Sequence, residues 1–134
     1  MINQQLLNPE SIVVVGGSDD IHKPGGKVLF NIIKGNYQGK LYVSNPKQDK
    51  VQGINSYKDL NDLPDTDLAI LAIPAKFCID AVDILASKKN TKAFIILSAG
   101  FSETNEEGAE IEHKIVEIID HVNGVLIGLT GLVY

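Results

Sequence analysis

Five short runs of aliphatic and β-branched residues recur along the chain, and their lack of polar alternation is what most limits the fold. They are Ser11-Ile12-Val13-Val14-Val15, Lys40-Leu41-Tyr42-Val43-Ser44, residues 67–73, Ala93-Phe94-Ile95-Ile96-Leu97 and Val125-Leu126-Ile127-Gly128. Near-continuous apolar runs of this length mark strands covered on both faces, as in a parallel sheet. The stretches between them have helical period. Residues 25–36 carry Val28, Leu29, Ile32 and Ile33, with Gly35 or Gly39 as the stop. A second helix, begun by Pro74 and running to about residue 89, places Cys78, Val82, Leu85 and Ala86 on one stripe. The last, at about 106–122, buries Ile111, Ile115, Ile118, Ile119 and Val122, and glutamates in its first turns suit the helix dipole. Between residues 51 and 64 the pattern weakens; Val51, Ile54, Tyr57, Leu60 and Leu63 are spaced to pin a short helix or turn onto the sheet. This alternation predicts an α/β fold: a Rossmann-like open parallel sheet of about five strands with helices on both faces and strand order 3-2-1-4-5.

With 134 residues the expectation is one domain over 1–134. The chain stops just after the fifth strand, as a fragment of a longer multidomain chain would. An apolar fraction of 44% with no long apolar tract excludes a membrane-spanning helix. Met1-Ile2-Asn3-Gln4-Gln5 lacks the basic and apolar regions of a signal peptide, so the expected location is cytoplasmic. A net charge of −5 argues against nucleic acid as a partner, because phosphate backbones are held by basic faces. All 12 basic residues are lysines, so any bound anion meets ammonium groups and backbone amides rather than guanidinium forks.

In an open parallel sheet the ligand crevice lies beyond the carboxyl ends of the strands. Five loops therefore matter: Gly17 to Gly26, Asn45 to Lys50, Pro74 to Phe77, Ser98 to Glu103, and Gly128 onward. In the first, Gly16-Gly17-Ser18 and Lys23-Pro24-Gly25-Gly26 could turn helix-terminal amides toward a diphosphate with no Cβ in the way. The spacing fits neither the dinucleotide fingerprint nor a P-loop, and glycines used only for a tight strand-to-helix turn explain it equally well. The second loop, Ser44-Asn45-Pro46-Lys47, puts a lysine where NAD-binding domains usually carry an acid, which favours a phosphorylated ribose such as that of coenzyme A or NADP. Lys23, Lys47 and Lys76 each follow a different strand, gathering positive charge at the crevice of an acidic chain.

These loops, in this order and spacing, resemble the N-terminal CoA-binding domain of ADP-forming acetyl-CoA and acyl-CoA synthetases, relatives of the succinyl-CoA ligase α subunit. The resemblance rests on Val15-Gly16-Gly17-Ser18 with Lys23-Pro24-Gly25-Gly26, on Val43-Ser44-Asn45-Pro46-Lys47, on residues 63–70, on Ile73-Pro74-Ala75, and on Ser98-Ala99-Gly100-Phe101-Ser102-Glu103. It implies that Gly17, Ser18 and Gly25 line the diphosphate, and that Asn45, Pro46 and Lys47 line the phosphorylated ribose. Ile73 and Pro74 would line the adenine, and Ser98, Ala99 and Gly100 the pantetheine path. The implied ligand is CoA or acyl-CoA, and the implied partners are other ligase domains or subunits, including an ATP-grasp domain. The family's reaction takes acyl-CoA, ADP and phosphate to acid, CoA and ATP through a phosphohistidine in a later domain. No catalytic residue is therefore expected here. One departure is plain: the family's Gly-Pro-Asn-Cys-x-Gly after the fifth strand is replaced by Gly128-Leu129-Thr130-Gly131-Leu132-Val133-Tyr134.

Two other readings of the same residues stay open at this point. One is an NAD(P)-binding oxidoreductase or redox-sensing domain, which Lys47 permits; the other is a regulatory partner with an empty cleft. Cys78 reads as a small core residue, Asp19, Asp20 and His22 as a solvated turn rather than a metal site, and His113 and His121 as surface residues.

Overall fold

β1 (Ser11–Val15) is buried along its whole length, because it is the central strand of the sheet and is packed on both faces. The computed structural model describes residues 3–97 and 106–128. Around β1 run β2 (Lys40–Ser44), β3 (Lys50–Val51), β4 (Ile54–Tyr57), β5 (Leu68–Leu71), β6 (Ala93–Ile96) and β7 (Val125–Ile127), in the spatial order β3-β4-β2-β1-β5-β6-β7. Every pairing is parallel except β3 with β4.

The helices are α1 (Gln4–Leu7), α2 (Pro24–Lys34), α3 (Ala75–Lys88) and α4 (Glu106–His121). Successive side chains of β1 separate the two layers. Val13 and Val15 join Ala69, Leu71, Phe94 and Ile96 beneath α3 and α4, while Ile12 and Val14 face Leu29, Val28 and Ile32 of α2. The α/β architecture with helices on both faces is as the apolar runs predict.

Strand order is not. The third predicted strand, β5, pairs with β1 at Ile12 to Leu68 rather than lying outside β2. The place beyond β2 is taken by β4, in the segment expected to hold only a short helix or turn. There, Gln52 (φ 49°) and Gly53 (φ 81°) form the two-residue turn of the β3–β4 hairpin, since left-handed conformation at both central positions matches the twist of the flanking strands. A single 3-10 turn, Leu60–Asp62, is the helical part of that expectation.

The first predicted helix stops at Gly35, its C-cap residue, as expected, with the left-handed position one residue later. Gly35 is right-handed, and Asn36 (φ 58°) takes the left-handed position, letting the Tyr37 amide reach back to the Ile32 carbonyl. Asn90 (φ 55°) and Asn123 (φ 58°) do the same after α3 and α4. Asparagine is the residue besides glycine that tolerates this conformation best. Ile33, placed on the buried stripe by its spacing, is 42% exposed. On α4 the buried stripe is narrower than predicted: Ile115 and Ile119 are buried, and Ile111, Ile118 and Val122 half-buried.

The turn after α2 is tied to the start of β1, because the Tyr37 hydroxyl donates to the Pro9 carbonyl at 2.7 Å. Burial, with Asp67 and Glu10 nearby, raises the phenol above its ordinary range. Tyr37→Phe should cost about 0.5–1.5 kcal/mol at neutral pH. Since the folded phenol titrates above the unfolded one, the stability linked to its proton is full below pH about 10 and fades as pH rises through the raised value. Urea unfolding of both chains at neutral and alkaline pH checks this: the gap between them should close on the alkaline side.

Candidate functional site

The carboxyl ends of β1, β2 and β5 meet where the chain leaves β1 toward α2 on one face and β5 toward α3 on the other. Strand order reverses there, which opens a crevice in sheets of this kind. Gly16 lies at its floor with φ 87°. A Cβ on Gly16 would overlap the Ala72 carbonyl oxygen and come within 2.8 Å of the Ile73 side chain, so only glycine lets the first loop lie this close to the end of β5. A Cβ on Gly25 would fall on the Gly16 carbonyl oxygen, and one on Gly26 on that of Asp20, so the first turn of α2 is pressed against its own loop. The glycines thus serve the chain's packing; the same packing fixes where the amides at the start of α2 lie. Lys23 is the N-cap residue and makes no side-chain capping bond.

The second loop is joined to the first through Asn45. Its Nδ2 donates to the Gly17 carbonyl at 3.0 Å, and its Oδ1 accepts from the Lys47 amide at 2.8 Å. Lys47 and Pro46 are exposed beside it. On the third loop, Pro74 caps α3 and is exposed, and Ile73 is half-buried against Gly16.

The structure therefore brings together Gly17, Ser18, Gly25, Gly26, Asn45 and Ile73, and sets Lys23, Pro46, Lys47 and Pro74 at the rim of these loops. Lys76 is exposed with its ammonium 5.2 Å from the centre of the exposed Phe77 ring. Ser98, Ala99 and Gly100, like the residues after Gly128, lie outside the described residues.

The Asp19-Asp20-His22 turn is held by one hydrogen bond of its own and by others from Gln48 and Gln52. The Asp20 carboxylate accepts from the His22 amide at 2.9 Å, while Asp19 accepts from the Gln52 amide at 2.7 Å and from Gln48 Nε2 at 3.2 Å. No group of three metal-binding side chains occurs among the described residues. Asp19, Gln48 and Gln52 were not legible as site residues, although Gln52-Gly53 is a weak form of the X-Gly hairpin signal. Cys78 is fully buried on α3, as its stripe predicts. His113 is exposed and pairs with Glu117 at 2.8 Å, and His121 is exposed at the end of α4. No helix of the described residues is long and apolar enough to cross a membrane.

Residues 10–125 match a family model described as a CoA binding domain. Among curated proteins, the chain is 38% identical to acetate–CoA ligase (ADP-forming) II of Archaeoglobus fulgidus over 86% of its own length and 17% of the relative's. It is 38% identical to the α subunit of the Pyrococcus furiosus acetate–CoA ligase (ADP-forming) II, over 92% of this chain and 27% of that one. The apo form of acetyl-coenzyme A synthetase 1 from Ca. Korarchaeum cryptofilum superposes with a TM-score of 0.82 at 28% identity, covering 93% of this chain and 27% of the synthetase. The chain thus spans about a sixth to a quarter of these relatives' lengths. The model match runs from the residue before β1 to the first residue of β7 and takes in the loops after β1, β2 and β5: the chain belongs to the CoA-binding domain family.

Proposed function

We propose that this chain binds coenzyme A or its acyl thioester, as the CoA-binding part of an ADP-forming acyl-CoA synthetase. One observation carries the reading: the family match spans the three loops that Gly16, Asn45 and Ile73 bring into contact at the switch point of the sheet. On this reading the diphosphate lies along Gly17, Ser18, Gly25 and Gly26 with Lys23 beside it, the 3′-phosphorylated ribose against Asn45, Pro46 and Lys47, and the adenine on Ile73 and Pro74. Ser98, Ala99 and Gly100 take the pantetheine arm.

The chain's own residues bind and orient; the phosphoryl chemistry belongs to partner domains or subunits, an ATP-grasp domain among them. An oxidoreductase on the same sheet is disfavoured by the family match.

Thermal unfolding with CoA, dephospho-CoA and NADPH tests the reading. A ligand at about 100 times its Kd adds roughly 2.7 kcal/mol to stability, so CoA should raise the melting temperature by several degrees. Dephospho-CoA should raise it less. A response to NADPH with none to CoA would reverse the assignment. Lys47→Ala should weaken CoA about tenfold, the equivalent of one charge-assisted hydrogen bond, and leave dephospho-CoA unchanged. Titration calorimetry with both ligands reads that difference directly, and equal losses for the two would remove Lys47 from the phosphate.

A further inference from the structure

The side chain of Gln52 reaches across from the β3–β4 turn into the loop between β1 and α2. Its Nε2 donates to the Ser18 carbonyl at 2.8 Å and to the Gly26 carbonyl at 2.9 Å, so one amide group joins the start of that loop to the first turn of the helix after it. Its backbone amide donates to Asp19 Oδ1 at 2.7 Å. Gln48 Nε2 holds the other oxygen of the same carboxylate at 3.2 Å, and Asn45 Nδ2 reaches both Gln48 and the Gly17 carbonyl. Three consecutive residues of the first loop, Gly17 to Asp19, are thereby held by Asn45 and Gln48 from the loop after β2 and by Gln52 from the β3–β4 turn.

Gln52 has this reach at a backbone position that glutamine seldom adopts, with φ 49°. The turn needs left-handed geometry and would be better served by asparagine or glycine. Asparagine is one methylene too short to span the same two carbonyls, and a glutamate would set an acceptor against acceptors. Because a trans peptide holds its C=O and N–H in opposite directions, fixing the Ser18 carbonyl also fixes the direction of the Asp19 amide.

We propose that Gln52 is a positioning residue for the anion-binding loop: it holds the Ser18 and Gly26 carbonyls together, so that the amides between β1 and α2 are arranged before a diphosphate arrives. This rests on the CoA reading above, and it assigns the hairpin a role in affinity that touches no ligand. Preorganised loops bind more tightly because the cost of ordering them is met during folding.

The test is titration of the chain and its Gln52→Asn and Gln52→Glu variants with CoA and dephospho-CoA, together with their ligand-free melting curves. Both variants should lose about fivefold to tenfold in affinity, equally for the two ligands, since both carry the diphosphate. Gln52→Asn should melt within about 2 °C of the unaltered chain, because its better fit to the left-handed turn offsets the lost bonds. Unchanged affinity in both variants would overturn the proposal, as would a loss confined to CoA, which would place the effect at the 3′-phosphate. A fall in melting temperature of Gln52→Asn that accounts for its lost affinity would make the role structural and end it too. An unaltered chain that ignores CoA would end both this proposal and the reading beneath it; a binding chain with indifferent variants would end this one alone.

Discussion

Gly16→Ala should destabilise the chain by about 2–5 kcal/mol, the sum of a left-handed backbone cost of about 1–2 and an overpacking cost of about 1–3. The two terms can be separated within this molecule. Gly53 has nearly the same φ, 81° against 87°, but a Cβ there would meet nothing within 4 Å, whereas one on Gly16 would overlap the end of β5. Gly53→Ala should therefore pay the backbone term only, about 1–2 kcal/mol. Urea unfolding of the three chains, with similar slopes, measures both. Equal losses at the two glycines would show that the first loop can move off β5 without cost, and that the crevice floor is soft. If the floor is as rigid as the contacts indicate, Gly16→Ala should also abolish the CoA-induced rise in melting temperature, and Gly53→Ala should leave it.

Phe94→Ala should cost about 3–5 kcal/mol, a large part of the stability of a domain this size. Phe94 heads the fully buried side chains by volume. It lies on the face of β6 that packs with Val82, Leu85, Ile115 and Ile119, where α3 and α4 close over the sheet. Two helices and a sheet meet there, so the cavity left by the ring has little freedom to collapse. The effect should be confined to stability. Phe94 is two residues short of the end of its strand, and the increment from CoA should survive in the variant at temperatures where it is folded. Calorimetric unfolding with and without ligand checks both parts. A loss below about 1.5 kcal/mol would mean that α3 and α4 repack over the gap.

The reach of local pattern can be followed residue by residue. The bounds of β1 and β2 are those of their apolar runs, and the stripe of α3 is buried at Cys78, Val82, Leu85 and Ala86. The helix ends were legible too. The expected stop at Gly35 is the C-cap of α2, and Asn36, like Asn90 and Asn123 after α3 and α4, takes the left-handed position that follows. The β3–β4 hairpin escaped because it lies at the sheet's edge. Ile54 and Tyr57 of β4, next to the edge strand β3, are only half-buried, and a half-buried strand has a weaker apolar signal than a central one.

Strand order and the Gln52 clamp share a different obstacle. Pairing of β1 with β5 joins residues far apart along the chain, and Gln52 lies 34 residues from Ser18. Hydrophobic period is a property of neighbours along the chain, and it carries no information about which buried strand lies beside which. A polar residue in a turn likewise has the same composition whether its amide meets water or two carbonyls.

By itself, then, the sequence determined the layers of this protein and its helix and strand stripes. Burial demands those patterns locally. Only the tertiary structure decided that β5 lies against β1, that Gly16 must lie beneath Ile73, and that a hairpin glutamine bonds the Ser18 and Gly26 carbonyls of the loop between β1 and α2. Each depends on a contact between segments that are distant along the chain.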